Sequence, residues 1–143
     1  MKERYLNPNQ EAGRDFMLRK ISGNVVMLNL LRFREYADYS LNPEIAPLET
    51  ISGAHAYQLY IRHTLPYLKE SGGEIIFLGE GGKYLIGPTD ERWDAVLLIR
   101  QSSADSFISF ESNTGYLAGI GHRTAALEDS RLLPMIEGGM FEY

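Results

Sequence analysis

The chain has 143 residues, 44% of them hydrophobic and 23% charged, which is the size and make-up of one folded globular domain and excludes a disordered chain or a coiled coil. Its formal net charge is -5, with 14 Lys and Arg dispersed among 19 Asp and Glu, so no basic patch is offered to nucleic-acid phosphates. Cysteine is absent, which removes disulfides, thiolate nucleophiles, Cys-based zinc sites and Cys-ligated clusters together, and fits a reducing cytoplasm.

The polar start is not a signal peptide and no stretch is long enough for a membrane-spanning helix, so the expectation is a cytoplasmic protein with neither membrane nor nucleic acid as partner. Residues 1–22 are read as an N-terminal helical extension of a single domain spanning 1–143. Asn7 caps and Pro8 opens a short helix there, with Ala12, Phe16 and Ile21 at roughly helical spacing. Ser22-Gly23-Asn24 ends it. Residues 25–33 are apolar on both alternating faces, as in a central strand covered on two sides.

Residues 38–52 carry two prolines and no sustained period, which predicts a long loop. Ser52 caps a helix over residues 53–71 whose core stripe is Ala54, Tyr57, Ile61, Leu65 and Leu68, with a kink expected at Pro66. Gly72-Gly73 stops it. Residues 74–78 form a strand broken at Gly79-Glu80-Gly81-Gly82; it resumes as an edge over 83–86, and after a turn at 87–90 residues 93–100 make a second strongly apolar strand. Ser102 or Ser103 caps a short helix reaching Phe110, and Asn113 caps a further segment to about Glu128, weakened by Gly115, Gly119 and Gly121. Residues 129–136 form the last strand, confined to an edge by Pro134.

The order is helix, then β-α-β-β-α-β, the α+β ferredoxin-like split unit whose two helices cover one face of a four-stranded antiparallel sheet. The strands over 25–33 and 93–100 are apolar on both sides, so the uncovered face calls for a second copy and a sheet-to-sheet homodimer.

Three blocks in order carry a resemblance: Val25-Val26-Met27-Leu28-Asn29-Leu30-Leu31-Arg32-Phe33-Arg34, then Gly87-Pro88 followed by Glu91-Arg92-Trp93-Asp94, then His122-Arg123-Thr124-Ala125-Ala126-Leu127-Glu128-Asp129-Ser130-Arg131-Leu132. Together they resemble the domain-of-unknown-function family numbered 1330, of the dimeric α/β-barrel superfamily. The resemblance runs from Asn24 to Leu133 and implies a ferredoxin-like protomer in a homodimer; it implies no established activity.

Asn29 is a polar side chain on an otherwise apolar strand, so it either bonds backbone or a trapped water or lines a ligand cavity. Ala56, Tyr60, His63 and Tyr67 share a second helical face: either a site in which His63 moves a proton and tyrosines hold a ring, or an amphipathic edge at the dimer contact. Tyr116, Ile120, Arg123 and Leu127 align on one face; Arg123 either clamps an anionic ligand or forms an internal salt bridge with Asp94, Glu128 or Asp129. His63, His122 and Asp94 are the candidate catalytic groups, and Asn29, Tyr60, Trp93, Arg123 and Asp129 the candidate ligand-binding ones.

His55, His63 and His122 lack metal-ligand spacing, and no cofactor is expected. The glycines at 79–82 precede strand rather than helix, which excludes a phosphate loop, and a Gly-x-Ser-x-Gly nucleophile is absent. The leading expectation is a small-molecule cavity in each protomer, lined by Asn29, Trp93, His63 and Arg123, in a binder or an enzyme. The alternative is a non-catalytic dimeric module. The superfamily resemblance adds a weaker analogy, to cofactor-independent oxygenases or haem-type monooxygenases, whose Asn, Trp and His are matched here only loosely by Asn29, Trp93 and His122.

Overall fold

The computed structural model describes residues 3–141. Asn9, not Asn7, caps the first helix, α1 (Gln10–Leu18), its side-chain oxygen accepting from the N–H of Ala12 at 2.8 Å. Pro8 therefore lies before the cap rather than inside the helix; the side chain that reaches an N–H three residues on sets the start. Then follow β1 (Val25–Phe33), a loop with one short 3-10 turn (Pro43–Ile45), α2 (Gly53–Glu70), β2 (Glu74–Lys83), β3 (Arg92–Gln101), α3 (Ala104–Glu111), α4 (Thr114–Leu117), α5 (Ile120–Ala126) and β4 (Leu127–Ile136). No helix among the described residues is long and apolar enough to cross a membrane.

The sheet order is β2-β3-β1-β4 with every neighbouring pair antiparallel. Each β-α-β unit thus skips one strand, which is the ferredoxin-like arrangement. β4 is an edge, where Pro134 lacks a ladder donor at least cost.

Cα partners across a ladder share a face and neighbours along a strand alternate, so the register sorts the side chains. Leu28 stands beside Leu98 and Leu133, Leu30 beside Val96, Val26 beside Met135, and Phe77 beside Leu98. None of these belongs to the core cluster, and Phe77 and Leu133 are half exposed. The opposite face, with Leu31, Ala95 and Leu97, packs on Tyr57, Tyr60, Ile61 and Leu68 of α2, Phe110 of α3, Tyr116 of α4 and Ala126 of α5.

Several elements differ from the sequence expectation for definite reasons. The buried stripe of α2 is Gly53, Ala56, Tyr57, Tyr60, Ile61, Thr64 and Leu68, while Ala54 and Leu65 are exposed. The stripe is rotated toward Ala56 and Tyr60 because α4 and α5 pack against α2 as well as the sheet, widening the face it buries. Pro66 lies on the exposed side of a helix that runs on to Glu70. α2 stops at Gly72, whose φ of +86° is the left-handed conformation suited to glycine.

β2 continues through Gly79–Gly82 instead of breaking there, with a register shift between Ile75 and Phe77. A side chain at Gly81 would meet the Trp93 carbonyl oxygen at 2.5 Å, so glycine here serves close strand approach rather than a turn. Residues 84–86 lie beyond the strand, with Leu85 and Ile86 almost wholly exposed at the hairpin tip. The segment after Asn113 is two short helices joined at Gly119, not one. Its glycines are contact points: a Cβ at Gly115 would run into Tyr67, one at Gly119 into the His63 ring, and one at Gly121 into Asn42 and Ile45.

Candidate functional site

Between α2 and the sheet lies a cavity of about 40 Å3, with Asn29 of β1, Leu97 of β3, Tyr60 and Thr64 of α2 and Phe110 of α3 in its wall. The β1 alternation that sends Leu31 into the core also turns Asn29 inward. Asn29 is 8% exposed, and its amide nitrogen donates to the Leu97 carbonyl at 3.2 Å and, more weakly, to that of Met27 at 3.4 Å. The amide is therefore anchored to backbone, and its Oδ1 takes no hydrogen bond among the described residues.

Thr64 is 6% exposed, and its hydroxyl is buried without a hydrogen-bond partner. A buried polar group in that state costs roughly 1–3 kcal/mol. The Tyr60 hydroxyl has Thr64 as a hydrogen-bonding neighbour beyond full bonding distance, and its short bond is to Tyr116, the two hydroxyls lying 2.7 Å apart. Burial pushes Tyr57, Tyr60 and Tyr116 above the ordinary tyrosine range. They are neutral hydroxyls near pH 7 and do not act as bases there.

Two further groupings hold the other candidates. At the start of β3, Trp93 is 3% exposed, with the guanidinium of Arg32 at 5.5 Å and that of Arg131 at 5.0 Å from its ring centroid. Arg131 also lies over Tyr5 at 4.7 Å. Asp129 binds both arginines, at 3.3 Å to Arg32 and 2.8 Å to Arg131, and accepts from the N–H groups of Tyr5 and Ser130. Burial alone would push its carboxyl up, but the Tyr5 N–H, Arg131 and the Ser130 N–H hold it below the usual carboxylate range.

Arg123 differs from the salt-bridge expectation. It donates to the Leu6 carbonyl and to the Ser130 hydroxyl, not to Asp94, Glu128 or Asp129. The reason is a strap formed by residues 4–6: Arg4 donates to the carbonyls of Leu127 and Glu128, and Ser130 donates to that of Tyr5, so the strap brings a backbone acceptor, the Leu6 carbonyl, to Arg123 and a donor to Asp129. Asp94 accepts from the Phe33 N–H at 2.8 Å and from Arg92 at 3.3 Å.

The histidines form the third grouping. His63 donates from Nε2 to the Gly115 carbonyl at 2.7 Å, and His122 shares a 2.7 Å bond through Nδ1 with the Tyr39 hydroxyl. Burial, and then the nearby His63, lower the pKa of His122. No cluster of three metal-ligating side chains occurs among the described residues.

Of the expected cavity lining, Asn29 faces the cavity, whereas Trp93, His63 and Arg123 do not; Tyr60, a candidate ligand-binding residue, also stands in its wall. Thr64 was missed, although it lies four residues after Tyr60 and three after Ile61, on the stripe they bury. A broader depression of about 410 Å3, between the end of α2 and α3, is open to solvent and lined by polar groups such as Glu70, Asp105 and Asn113.

No protein-family model matches the chain. No curated protein matches it either. The crystal structure of the Rhodopseudomonas palustris protein RPA0582, of unknown function, is 32% identical with a TM-score of 0.79, over 93% of this chain and 96% of that one. Its methylated form is likewise 32% identical with a TM-score of 0.81, over 92% of this chain and 93% of that one. With nearly the whole of both chains matched at that identity, this chain belongs to the family of the Rhodopseudomonas palustris RPA0582 protein.

Proposed function

We propose that the protein is a homodimeric small-molecule binder whose ligand enters the cavity between α2 and the sheet of each protomer. The observation that carries this reading is the buried Thr64 hydroxyl, unpartnered in the same cavity as Asn29. A buried hydroxyl in that state is one that a bound water or a ligand can satisfy. Binding is favoured over proton-transfer chemistry because no histidine or carboxylate stands in the cavity wall.

A second copy over the open sheet face accounts for Leu28, Leu30, Val96 and Leu98, which lie outside the core cluster, and for half-exposed Phe77 and Leu133. We read residues 1–143 as one cytoplasmic domain with 1–22 as an N-terminal extension, and the family as the one numbered 1330. The small cavity volume favours a second reading, a non-catalytic dimeric module, and weighs against the haem analogy, since drug-sized ligands need about 300–1,000 Å3.

Two measurements test the proposal. Sedimentation of the full chain at low concentration is expected to give a dimer; a compact monomer sinks the interface. A thermal-shift screen with small molecules is expected to raise the midpoint with at least one of them, and Thr64→Val to abolish that rise. A flat screen favours the module.

A further inference from the structure

The wall of the α2 cavity also restricts what fits it, granted the reading above that it takes a ligand. None of its side chains is charged: Asn29, Thr64 and three tyrosine or phenylalanine rings are joined by Ile and Leu side chains. A carboxylate or ammonium moved there would lose its hydration with no opposite charge to meet it, a cost of several kcal/mol. An ion is shut out by this alone.

The polar groups left over set the chemistry of the ligand's end. Asn29 has committed its amide N–H to backbone, so its free Oδ1 asks for a donor. Thr64 Oγ1, with no partner, both donates and accepts. A ketone, ester or ether accepts only and leaves Asn29 unsatisfied, whereas a hydroxyl or a primary amide answers both groups at once. The volume of about 40 Å3 is room for roughly three water-sized groups, since one needs about 10–15 Å3. The rest of a longer ligand leaves by the partly exposed side of the cavity, where Leu65 is 44% exposed and Ile75 and Ile99 are partly buried. That exit is aliphatic.

We propose that the ligand is an uncharged short-chain alcohol or primary amide, its polar end held by Thr64 Oγ1 and Asn29 Oδ1 and its alkyl body directed out past Leu65, Ile75 and Ile99.

The test is a methyl-detected NMR titration of the full chain with four probes of one chain length: 1-butanol, butyramide, butyrate and butylammonium. The two neutral probes are expected to shift the methyls of Ile61, Thr64, Leu68 and Leu97 saturably, and the two ions to bind at least about tenfold more weakly. Thr64→Val is expected to weaken the neutral probes about tenfold while Thr64→Ser, which keeps the hydroxyl, restores them. An ion that binds at these methyls as tightly as 1-butanol overturns the inference and leaves the cavity a ligand site. Equal binding by wild type and Thr64→Val, or a Thr64→Ser as weak as Thr64→Val, removes the anchor. If no probe of either kind shifts those methyls, the cavity reading falls and the inference with it.

Discussion

Replacing Thr64 by valine exchanges a hydroxyl for a methyl of nearly the same shape and keeps the β-branched backbone preference, so the helix itself is undisturbed. The wild-type hydroxyl sits on a residue 6% exposed and has no partner, a state that costs roughly 1–3 kcal/mol. The new methyl would face a cavity walled by Ile61, Leu68 and Leu97, which favours it further. Taking the low end, because a water in the cavity would satisfy part of the hydroxyl's need, Thr64→Val is expected to stabilise the ligand-free protein by about 1 kcal/mol. For a chain of 143 residues that corresponds to a rise in midpoint of about 3 °C. Urea and thermal unfolding at one fixed protein concentration measure it, the concentration being held because any self-association would add to apparent stability. A variant less stable than wild type by about 1 kcal/mol or more would mean that the hydroxyl is well bonded and would remove Thr64 as a ligand anchor.

Three other outcomes are expected. Gly53→Ala, which at an ordinary helical position gains about 1 kcal/mol, is expected to lose about 3 kcal/mol or to prevent folding, since its Cβ would lie 2.7 Å from the Ala126 carbonyl oxygen and 2.8 Å from the Arg34 nitrogen; a gain in urea midpoint contradicts this. Asp129, held below the usual carboxylate range, contributes stability that is present above its unfolded pKa of about 3.9 and is lost as pH falls through its folded value. Asp129→Asn is expected to cost about 2 kcal/mol at pH 7 and to flatten the acid limb of a stability profile below about pH 4, so an unchanged limb would assign that loss elsewhere. Leu98→Glu places a charge among Leu28, Phe77 and Val96 on the open face and is expected to give a folded monomer in sedimentation; a persistent dimer puts the interface on another surface.

The parts of the fold that the sequence made legible are those whose signal is local. β1 and β3 stand out because both of their faces are apolar, and Ser52, Ser103 and Asn113 mark helix starts because each cap bonds an N–H only three residues away. The rest depends on partners far along the chain. Gly115 and Gly119 read as helix weakeners, and their use as contact points for Tyr67 and His63 emerges only once α2 lies across them. Arg123 invited an acidic partner, yet its acceptor is the carbonyl of Leu6, which no spacing rule connects to it. Of the cavity wall, Asn29 was legible as a polar group in an apolar strand and Tyr60 as an aromatic on a helix. Thr64 passed unnoticed because threonine in a helix carries no signal until its surroundings are known to be dry.

The strap over residues 4–6 bears on how the chain is made. Arg4 and Tyr5 bond to groups 124 positions later, and Ser130 reaches back 125 to Tyr5. A ribosome emits the strap 124 residues before its anchors on β4, so until they follow the strap has nowhere to dock. Contacts of such long separation close slowly. The aromatic ring of Tyr5 and the guanidinium of Arg4 must meanwhile stay solvated, a task for which a tyrosine and an arginine are better suited than two leucines would be.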